Sequence, residues 1–535
     1  MERRTENLVR KSLACVTVAQ YVIVGAGSAG CVLAEALSTR HSVTLIEAGG
    51  ADRAPEVAIP AAFSKLFKTH RDWDLATEPE PGASERSLYL PRGKMLGGSS
   101  SMNAMLYVRG RPSDYDAWED DGSAGWGWDS VLPYFRSMEG NTRGDDPFHG
   151  STGPLRVSDI KRPSELSRAF VEAAMAWGLD PNRDFNGATS DGVGFFQVTQ
   201  KKGRRWSAAD AFLRPASTRP TLEVVTDALV GRVLFTGKRA TGVEFEKDGE
   251  VRRAEATREV ILAAGTYGSP HLLQLSGIGD PDHLGSIGID TVVANPGVGQ
   301  NLQDHPVAGL LYESRFPGTL DDAENAVEMA RWLLFRTGRL TSPIAEACAF
   351  VRSSPNLGEP DLQFHFAPVS FDGHGLTRHD GHAFTIGPVL VNPTSRGTVL
   401  ARSPDPATPP AITTNCLSDP GEVAALVRGI EIAREIVEQA PFDAYRGPEL
   451  KPGPDFQGRI GLEQYVRDNV ELLYHPVGTC RMGSDDGAVV DPQLRVIGAE
   501  GLRVVDASVM PRVVSGNTNA PTMMIAAKAA DLFLS

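Results

Sequence analysis

The apolar positions near the start of the chain predict a strand, a helix and a second strand in succession. Residues 20–24 are mainly apolar and β-branched and end at a glycine, as a short buried strand does. A helical pattern then runs through Cys31, Leu33, Ala34 and Leu37, which recur mainly three and four residues apart. Residues 42–46 form a second apolar run, which predicts a second buried strand. Together these segments indicate a βαβ unit.

The same patterns predict further strands and helices along the chain. Helices are expected at 322–336, 422–438 and 522–534. Strands are expected at 241–247, 251–256, 259–263, 382–390, 397–401 and 502–505, with Asp248 and Gly249 as a turn between the first two. No internal repeat of fixed period is present in the sequence. The mixture of buried strands and helices is typical of an α/β protein.

Composition and charge narrow the class of protein. The chain has 535 residues, of which 41% are hydrophobic and 22% charged, so we expect an ordered protein of about two to four domains. Its formal net charge of -14 disfavours a nucleic-acid partner, because an acidic surface repels phosphate groups. The sequence contains no run of ~18 apolar residues, so no integral membrane segment is expected.

The cysteines and the N-terminus bear on the location of the protein. Five scattered cysteines form neither a disulfide framework nor a paired zinc pattern: Cys15, Cys31, Cys348, Cys416 and Cys480. We therefore expect no metal and a cytoplasmic, reducing compartment. Residues 1–19 place basic residues before a short apolar run, as a signal peptide does. Because that run leads directly into the strand at 20–24, we expect an N-terminal tail instead.

A dinucleotide-binding fingerprint lies between the first strand and the first helix. Gly25 permits the tight turn, Gly27 lets the backbone approach a pyrophosphate, and Gly30 lets the helix pack on the strand. The helix N-terminus offers free N–H groups to the phosphates. Glu47 follows the second strand, where an acid binds the ribose hydroxyls and disfavours the 2′-phosphate of NADP. These residues indicate an adenine dinucleotide but do not separate FAD from NAD.

Two longer motifs, through the family that they resemble, distinguish FAD from NAD as the expected cofactor. Residues 91–103 read PRGKMLGGSSSMN, and residues 265–270 and 275–279 read GTYGSP and LSGIG. From about residue 20 to its end, the chain resembles the glucose–methanol–choline (GMC) family of flavin oxidoreductases, including choline dehydrogenase-like and alcohol dehydrogenase-like members. The resemblance implies FAD as the cofactor. Some relatives carry a histidine that bonds covalently to the flavin; Met102 stands at the matching position, so we expect non-covalent FAD.

The resemblance also implies the architecture. We expect an α/β fold with a Rossmann-type FAD-binding domain and a substrate-binding domain built on an antiparallel sheet covered by helices. Nucleotide-binding signals lie at both ends and in the centre of the chain, so the FAD-binding domain is expected to be discontinuous. Its parts are expected at 20–155, 196–305 and 466–535, and those of the substrate domain at 156–195 and 306–465, after a tail over 1–19.

The cofactor-contacting residues follow from the fingerprint and the resemblance. Glycines and serines at 97–100 provide consecutive N–H groups for a pyrophosphate or the flavin edge. Asp506 follows a predicted strand and is expected near the cofactor, with capping of the next turn as the alternative. The full expected set is Gly25, Gly27, Ser28, Ala29, Gly30, Glu47, Ala48, Arg92, Met95, Gly97, Gly98, Ser99, Asn103, Ala104, Met105, Leu229, Val230, Ala264, Gly265, Asp506, Ala507, Asn519, Pro521 and Thr522.

A candidate catalytic pair lies near the C-terminus. His475 stands in the segment YHPVGTCRMG, which resembles the family's catalytic-histidine segment, and Asn519 stands where relatives carry His or Asn. The resemblance implies that His475 accepts the hydroxyl proton of an alcohol while hydride moves to flavin N5. Positioned bases typically contribute ~10²–10⁴-fold. Asn519 is expected to orient the same oxygen, and a helix beginning near Thr522 to point its N-terminus at the flavin.

Other candidates carry weaker signals. Glu346 matches an active-site glutamate of choline-oxidising relatives, but residues 343–345 include no aromatic ring to surround a cation, which disfavours choline. His365 is expected to line the substrate pocket, with Phe364 and Phe366 pointing the other way along a strand. Asp304 and His305 are expected to be structural, near the cofactor or the domain junction.

The expected activity is FAD-dependent oxidation of a small-molecule alcohol to the aldehyde. A dehydrogenase that passes electrons to a quinone or another carrier is favoured, and oxygen as acceptor remains the alternative. A lyase or a light-driven decarboxylase on the same scaffold is the alternative from another enzyme class.

Overall fold

The computed structural model describes residues 16–377 and 379–534. Its N-terminal part confirms the βαβ unit as strand Val16–Val24, helix Ser28–Leu37 (the fingerprint helix) and strand Val43–Ile46. The strand begins four residues earlier than expected, because residues 16–19 pair with residues 253–256 of a neighbouring strand. The end of the predicted tail is therefore part of a sheet, while residues 1–15 lie outside the described residues.

The first large sheet, here called the nucleotide sheet, has seven strands in a Rossmann-like order. Its parallel part places Val16–Val24 between Val43–Ile46 and Glu250–Leu262, with Leu222–Val225 and Leu502–Val504 outside them. The strands predicted at 251–256 and 259–263 are one continuous strand, Glu250–Leu262. Leu229–Thr236 and Arg239–Lys247 extend the sheet as an antiparallel meander. Distant segments of the chain thus form one sheet, as the discontinuous arrangement requires.

The second large sheet, here called the substrate sheet, is antiparallel. Its strands, in spatial order, are Arg446–Lys451, Leu310–Ser314, Ala383–Leu390, Leu362–Ala367, Ala347–Val351 and Gly192–Phe195. Two short strands, Pro306–Val307 and Glu471–Leu472, pair beside Ala383–Leu390. Helices Glu165–Trp177, Pro420–Val437 and Gly458–Asn469 share a buried apolar core with this sheet. The predicted fold class, with a nucleotide-binding sheet and a helix-covered antiparallel sheet, is confirmed.

The predicted helices exist with shifted ends. The helix predicted at 322–336 spans Ala326–Phe335 because Asn325 caps it, and the one predicted at 422–438 spans Pro420–Val437 because Asp419 caps it. The last helix, here called the C-terminal helix, begins at Asn519 and ends at Leu534. The remaining α-helices are Pro55–Ala58, Pro112–Asp120, Trp128–Met138, Arg214–Ala216, Gly265–Leu275 and Pro281–Ser286. Among the described residues, no helix is long and apolar enough to cross a membrane.

Candidate active site

A cavity of about 840 Å³ lies between the two large sheets. It adjoins the carboxyl ends of four parallel strands of the nucleotide sheet, where open α/β sheets bind their ligands. Its opposite wall comes from the substrate sheet. Most of the expected cofactor residues line it: Gly25, Gly27, Ser28, Ala29, Glu47, Ala48, Arg92, Gly98, Ser99, Asn103, Ala104, Met105, Leu229, Val230, Ala264, Gly265, Asp506, Ala507, Asn519 and Thr522.

Four expected cofactor residues lie behind the wall instead. Gly30 packs under the carbonyl of Gly25, so close that a Cβ would lie 1.8 Å from that oxygen. Met95 is fully buried in an apolar cluster, and the N–H of Gly97 donates to the carbonyl of Ala26 at 2.7 Å. Pro521 is buried in the first turn of the C-terminal helix. These residues shape the wall through packing and do not line the cavity.

The fingerprint loop leaves room for a dinucleotide. A Cβ on Gly27 would meet no atom closer than 4.0 Å, and one on Gly265 would meet none within 4 Å, although both glycines line the cavity. Glu47 accepts the N–H groups of Ala26 at 2.8 Å and Gly49 at 2.9 Å. Burial raises the pKa of Glu47 to about 7. The open glycine cradle and the carboxylate beside it fit the pyrophosphate and ribose of FAD.

One segment that lines the cavity beside the nucleotide sheet could not be predicted from the sequence. The segment 406–410, rich in proline, lines the cavity, and Pro406 packs close to Gly231 next to Leu229 and Val230. Its residues follow no helical or strand period, so a pattern search does not single them out. Only the folded chain brings this segment to the nucleotide sheet.

His475 is buried on the cavity wall and held on three sides. Its backbone N–H donates to Oδ1 of Asp304 at 2.7 Å. Its Nδ1 lies 3.0 Å from Nδ1 of His305, and its Nε2 lies 3.1 Å from the amide nitrogen of Asn517. Because an amide nitrogen donates, Nε2 accepts and carries no proton. The neutral ring then carries its proton on Nδ1 and donates it to His305.

The partner of His475 is therefore Asn517, and the expected pairing with Asn519 was wrong. Oδ1 of Asn519 accepts the hydroxyl of Ser28 at 2.7 Å, which ties the start of the C-terminal helix to the fingerprint helix. The two asparagines stand two residues apart in one motif, so the sequence offers both. The chain turns into the helix between them, and this turn places only Asn517 against His475.

The surroundings of His475 favour its neutral form. Burial lowers the pKa of His475 well below its usual value, and the nearby His305, His365 and Arg92 lower it further. His365 also lines the cavity, as expected, while Phe364 and Phe366 point into the core of the substrate sheet. Oδ1 of Asn517 and Nε2 of His365 are buried, and neither has a hydrogen-bond partner among the described residues. Buried polar atoms of this kind normally bind something, here a molecule in the cavity.

The two expected aspartates have clear roles. Asp304 accepts the N–H groups of both His305 and His475, so it fixes the histidine pair and does not merely mark a domain junction. Asp506 lines the cavity and accepts from the N–H of Gly265 at 2.9 Å and the hydroxyl of Ser269 at 2.6 Å. It also caps the following turn, the alternative considered for it, and its contact with the cofactor stays a prediction.

Comparison with known proteins agrees with this geometry. The GMC oxidoreductase family models match residues 19–307 and 393–526. The chain belongs to the GMC oxidoreductase family. It is 43% identical to an oxygen-dependent choline dehydrogenase of Sinorhizobium fredii, covering 96% of this chain and 95% of that protein. It is 46% identical to an uncharacterized GMC-type oxidoreductase of Mycobacterium tuberculosis, covering 97% and 100%.

Solved structures of GMC oxidoreductases resemble this one over their whole length. A pyridoxine 4-oxidase from Mesorbium loti has a TM-score of 0.89 at 32% identity, covering 97% of this chain and 99% of that one. A formate oxidase from Aspergillus oryzae RIB40, described with FAD modification, has a TM-score of 0.91 at 27% identity, covering 97% and 98%. The protein is an FAD-dependent oxidoreductase acting on CH–OH groups; a lyase or light-driven decarboxylase is not favoured.

Glu346 does not enter the active site of this GMC oxidoreductase. Its carboxylate accepts the N–H of Ser164 and the hydroxyls of Ser167 and Ser342, each at 2.7 Å. The side chain is buried and does not line the cavity, although its neighbours Ile344 and Ala345 do. The expected pocket role of Glu346 was wrong, because three donors hold the carboxylate outside the cavity.

Aromatic side chains from segments other than residues 343–345 line the substrate side of the cavity. Phe63, Phe67, Phe371 and Tyr474 all contribute to the wall, and Phe67 lies 5.9 Å from Tyr474 between ring centroids. The lack of an aromatic ring at residues 343–345 therefore does not mean that the pocket lacks aromatic side chains. Each of these rings belongs to a different element, or to a loop, so only the tertiary structure brings them together.

One cluster of possible metal ligands lies outside the cavity, at Asp146, His149 and Asp184. Both ring nitrogens of His149 face carboxylates, Nδ1 at 2.9 Å from Glu139 and Nε2 at 2.8 Å from Asp184. Although burial acts in the opposite direction, these hydrogen bonds raise the pKa of His149 to about 9. Without a metal the ring is then protonated at neutral pH, and it forms an ion-pair network with these carboxylates.

Proposed function

We propose that this GMC oxidoreductase oxidises an uncharged alcohol to the aldehyde, with His475 as the proton acceptor and Asn517 as its partner. The observation that carries the proposal is the contact between Nε2 of His475 and the Asn517 amide on the cavity wall. An alcohol is a poor hydride donor until its proton leaves, so a neutral base at the hydroxyl is the group this chemistry needs.

The residues of the chain account for the movement of the proton. When the hydroxyl oxygen binds between the two side chains, Nε2 of His475 accepts the hydroxyl proton in place of its bond from the Asn517 amide. That amide then donates to the oxygen as negative charge develops on it. Nδ1–H of His475 stays bonded to His305, which keeps the ring in the productive tautomer. The glycine cradle and Glu47 would hold FAD, whose flavin would supply the acceptor for the hydride of the carbinol carbon. Met102 lines the cavity in place of a histidine, which supports non-covalent FAD.

The cavity wall supports an alcohol with an apolar body. Phe63, Phe67 and Phe371 line the substrate side together with Ile344 and Ala367. Such a wall stabilises an aliphatic or aromatic substrate by burying its apolar surface. The S. fredii relative is named for choline, but the carboxylate of Glu346 is turned away from the cavity here. We therefore propose uncharged primary alcohols, and not choline, as the preferred substrates.

The electron acceptor and the location are also part of the proposal. We favour a dehydrogenase with a quinone or another carrier as acceptor, since the relatives are named choline dehydrogenases. Those relatives are also named oxygen-dependent, so oxygen is the alternative acceptor. The four described cysteines are buried free thiols, which supports a reducing, cytoplasmic location.

Anaerobic reduction of the bound flavin tests the proposal. Uncharged primary alcohols and choline are mixed with the holoenzyme, and the loss of flavin absorbance is followed. His475→Ala should keep its flavin but slow the reduction by ~10²–10⁴-fold. Asn517→Ala should slow it by ~10²–10³-fold, as loss of one donor to a developing oxyanion does. Admitting oxygen afterwards and timing reoxidation separates a dehydrogenase from an oxidase.

Asn519→Ala is the matched control, because Asn519 binds Ser28 and not His475. It should lower flavin occupancy while leaving the rate of reduction per bound flavin near that of the wild type. Rapid reduction in His475→Ala would refute the assignment of the base. Equal rate losses in the two asparagine variants at full flavin occupancy would refute the assignment of Asn517.

A further inference from the structure

Exposed apolar side chains are concentrated on one helix of this protein. Fourteen large hydrophobic residues are exposed in the described chain, and five of them lie on the helix Ala326–Phe335, here called the exposed helix. They are Val327, Met329, Leu333, Leu334 and Phe335, exposed by 62%, 39%, 56%, 73% and 70%. With Ala326 and Ala330, most of them recur three and four residues apart, so they form one continuous face.

The opposite face of the exposed helix is firmly attached. The indole N–H of Trp332 donates to the carbonyl of Gly203 at 2.9 Å, and Trp332 is 4% exposed. Glu328 is also buried and accepts from the N–H of Arg339 at 2.9 Å and from Arg331 at 3.0 Å. The helix is therefore fixed in place, and its apolar face points outwards while the rest of the helix is packed.

Basic residues lie beside this apolar face. Gly203, which binds Trp332, stands in a turn whose neighbours Lys201, Lys202 and Arg204 are exposed. At the C-terminal end of the helix, the guanidinium of Arg336 lies 3.8 Å from the centre of the Trp332 ring. Exposed acids lie before the N-terminal end of the helix, but Asp322 pairs with Arg339 and Glu324 with Lys65. The turn and Arg336 therefore form a local group of cations on a protein whose net charge is -14.

An anionic bilayer suits this surface better than a second copy of the chain. A ten-residue helix is ~15 Å long and ~10 Å wide, a footprint of roughly 150 Å². A stable dimer buries about 800 Å² on each partner. A symmetric contact would also bring the same cations of two copies together. Apolar side chains flanked by Lys and Arg are typical of helices that lie in the plane of an anionic membrane surface.

We propose that the exposed helix and the turn 201–204 dock this protein on anionic lipid. The helix inserts its apolar face among the headgroups, and the cations contact the lipid phosphates. The docking is peripheral and reversible, since neither element spans a bilayer.

Co-sedimentation of the holoenzyme with vesicles tests this proposal. The wild type should bind phosphatidylcholine vesicles containing about one third phosphatidylglycerol, and bind pure phosphatidylcholine much more weakly. The double variant Lys202→Glu/Arg204→Glu should lower partitioning at least about 30-fold, since each cation contributes about 1 kcal/mol. Leu334→Ser/Phe335→Ser should lower it about 100-fold, through the lost apolar burial.

Ile460→Ser is the matched control, because Ile460 is 85% exposed on another helix. It should bind anionic vesicles like the wild type, and all variants should keep wild-type alcohol oxidation. Equal binding of the exposed-helix variants and the wild type would overturn the proposal, as would no binding by the wild type. A dimer in sedimentation velocity without lipid, lost in Leu334→Ser/Phe335→Ser, would instead assign the face to a second copy.

Discussion

The chemistry of single residues depends here on neighbours far away in the chain. His475 bonds to His305, 170 residues before it, and Asp304 fixes the backbone of both. Burial and this contact keep His475 neutral, which is the form that accepts a proton. His305 is a positioning residue in this account, since it acts only through His475.

The lowered pKa of His475 predicts the pH dependence of the reaction. Only the unprotonated ring is active, so kcat/KM should rise with pH below 6.5, the usual pKa of histidine, and be constant from there to about pH 8. His305→Asn removes a neighbour that lowers this pKa, so the acid limb should move to higher pH. Steady-state kinetics across this range provides the measurement. A wild-type acid limb centred above pH 7 would contradict the prediction.

At the scale of elements, the fingerprint helix depends on close contact with the first strand. A Cβ on Gly30 would lie 1.8 Å from the Gly25 carbonyl, and one on Gly25 would lie 2.4 Å from the Ala263 carbonyl. Three neighbouring backbone segments therefore approach one another without side chains between them. This contact sets the position of the helix N-terminus that faces the cavity.

Gly30→Ala should consequently lower the free energy of unfolding by about 1–3 kcal/mol, as overpacking does, and weaken FAD binding. Gly285→Ala is the matched control, because a Cβ there meets nothing within 4 Å on the helix Pro281–Ser286. It should be neutral or stabilising by up to about 1 kcal/mol, through helix propensity. Denaturant unfolding and FAD titration measure both effects. Equal stability of the two variants would show that the helix can move away from the strand without cost.

At the scale of the whole molecule, the cavity lies between the two large sheets and is lined by both. Glu47 and Gly27 belong to the nucleotide side, whereas His365 and Val307 belong to the substrate sheet. Segments from both ends of the chain line this cavity, so bound FAD would lie between them. Binding should therefore stabilise the molecule as a unit. The proposed division of the sequence into discontinuous domains stays a prediction.

Removal of FAD should accordingly lower the melting temperature by several degrees. A ligand at about 1,000 times its Kd contributes ~4 kcal/mol to the folded state. Calorimetry of the deflavinated protein, titrated with FAD, measures the shift. FMN lacks the adenylate group that would reach Glu47, so it should restore only part of the stability. If FMN restored the full melting temperature, the Glu47 end of the cavity would contribute nothing to the stabilisation by FAD.

The sequence by itself determined the features that depend on local period and spacing. The βαβ unit, the glycine fingerprint with Glu47 after the second strand, and the helices near 326–335 and 420–437 follow from patterns within about 30 residues. Their ends moved by a few residues because caps such as Asn325 and Asp419, and pairing with distant strands, decide where an element stops.

Only the tertiary structure decided which side chains meet. Asn517 and Asn519 are two residues apart, yet one contacts His475 and the other Ser28, because the chain turns into the C-terminal helix between them. Glu346 matched a motif, but the nearby Ser342 and the distant Ser164 and Ser167 hold its carboxylate outside the cavity. A local pattern records what a residue is, whereas its contacts depend on packing between segments hundreds of residues apart.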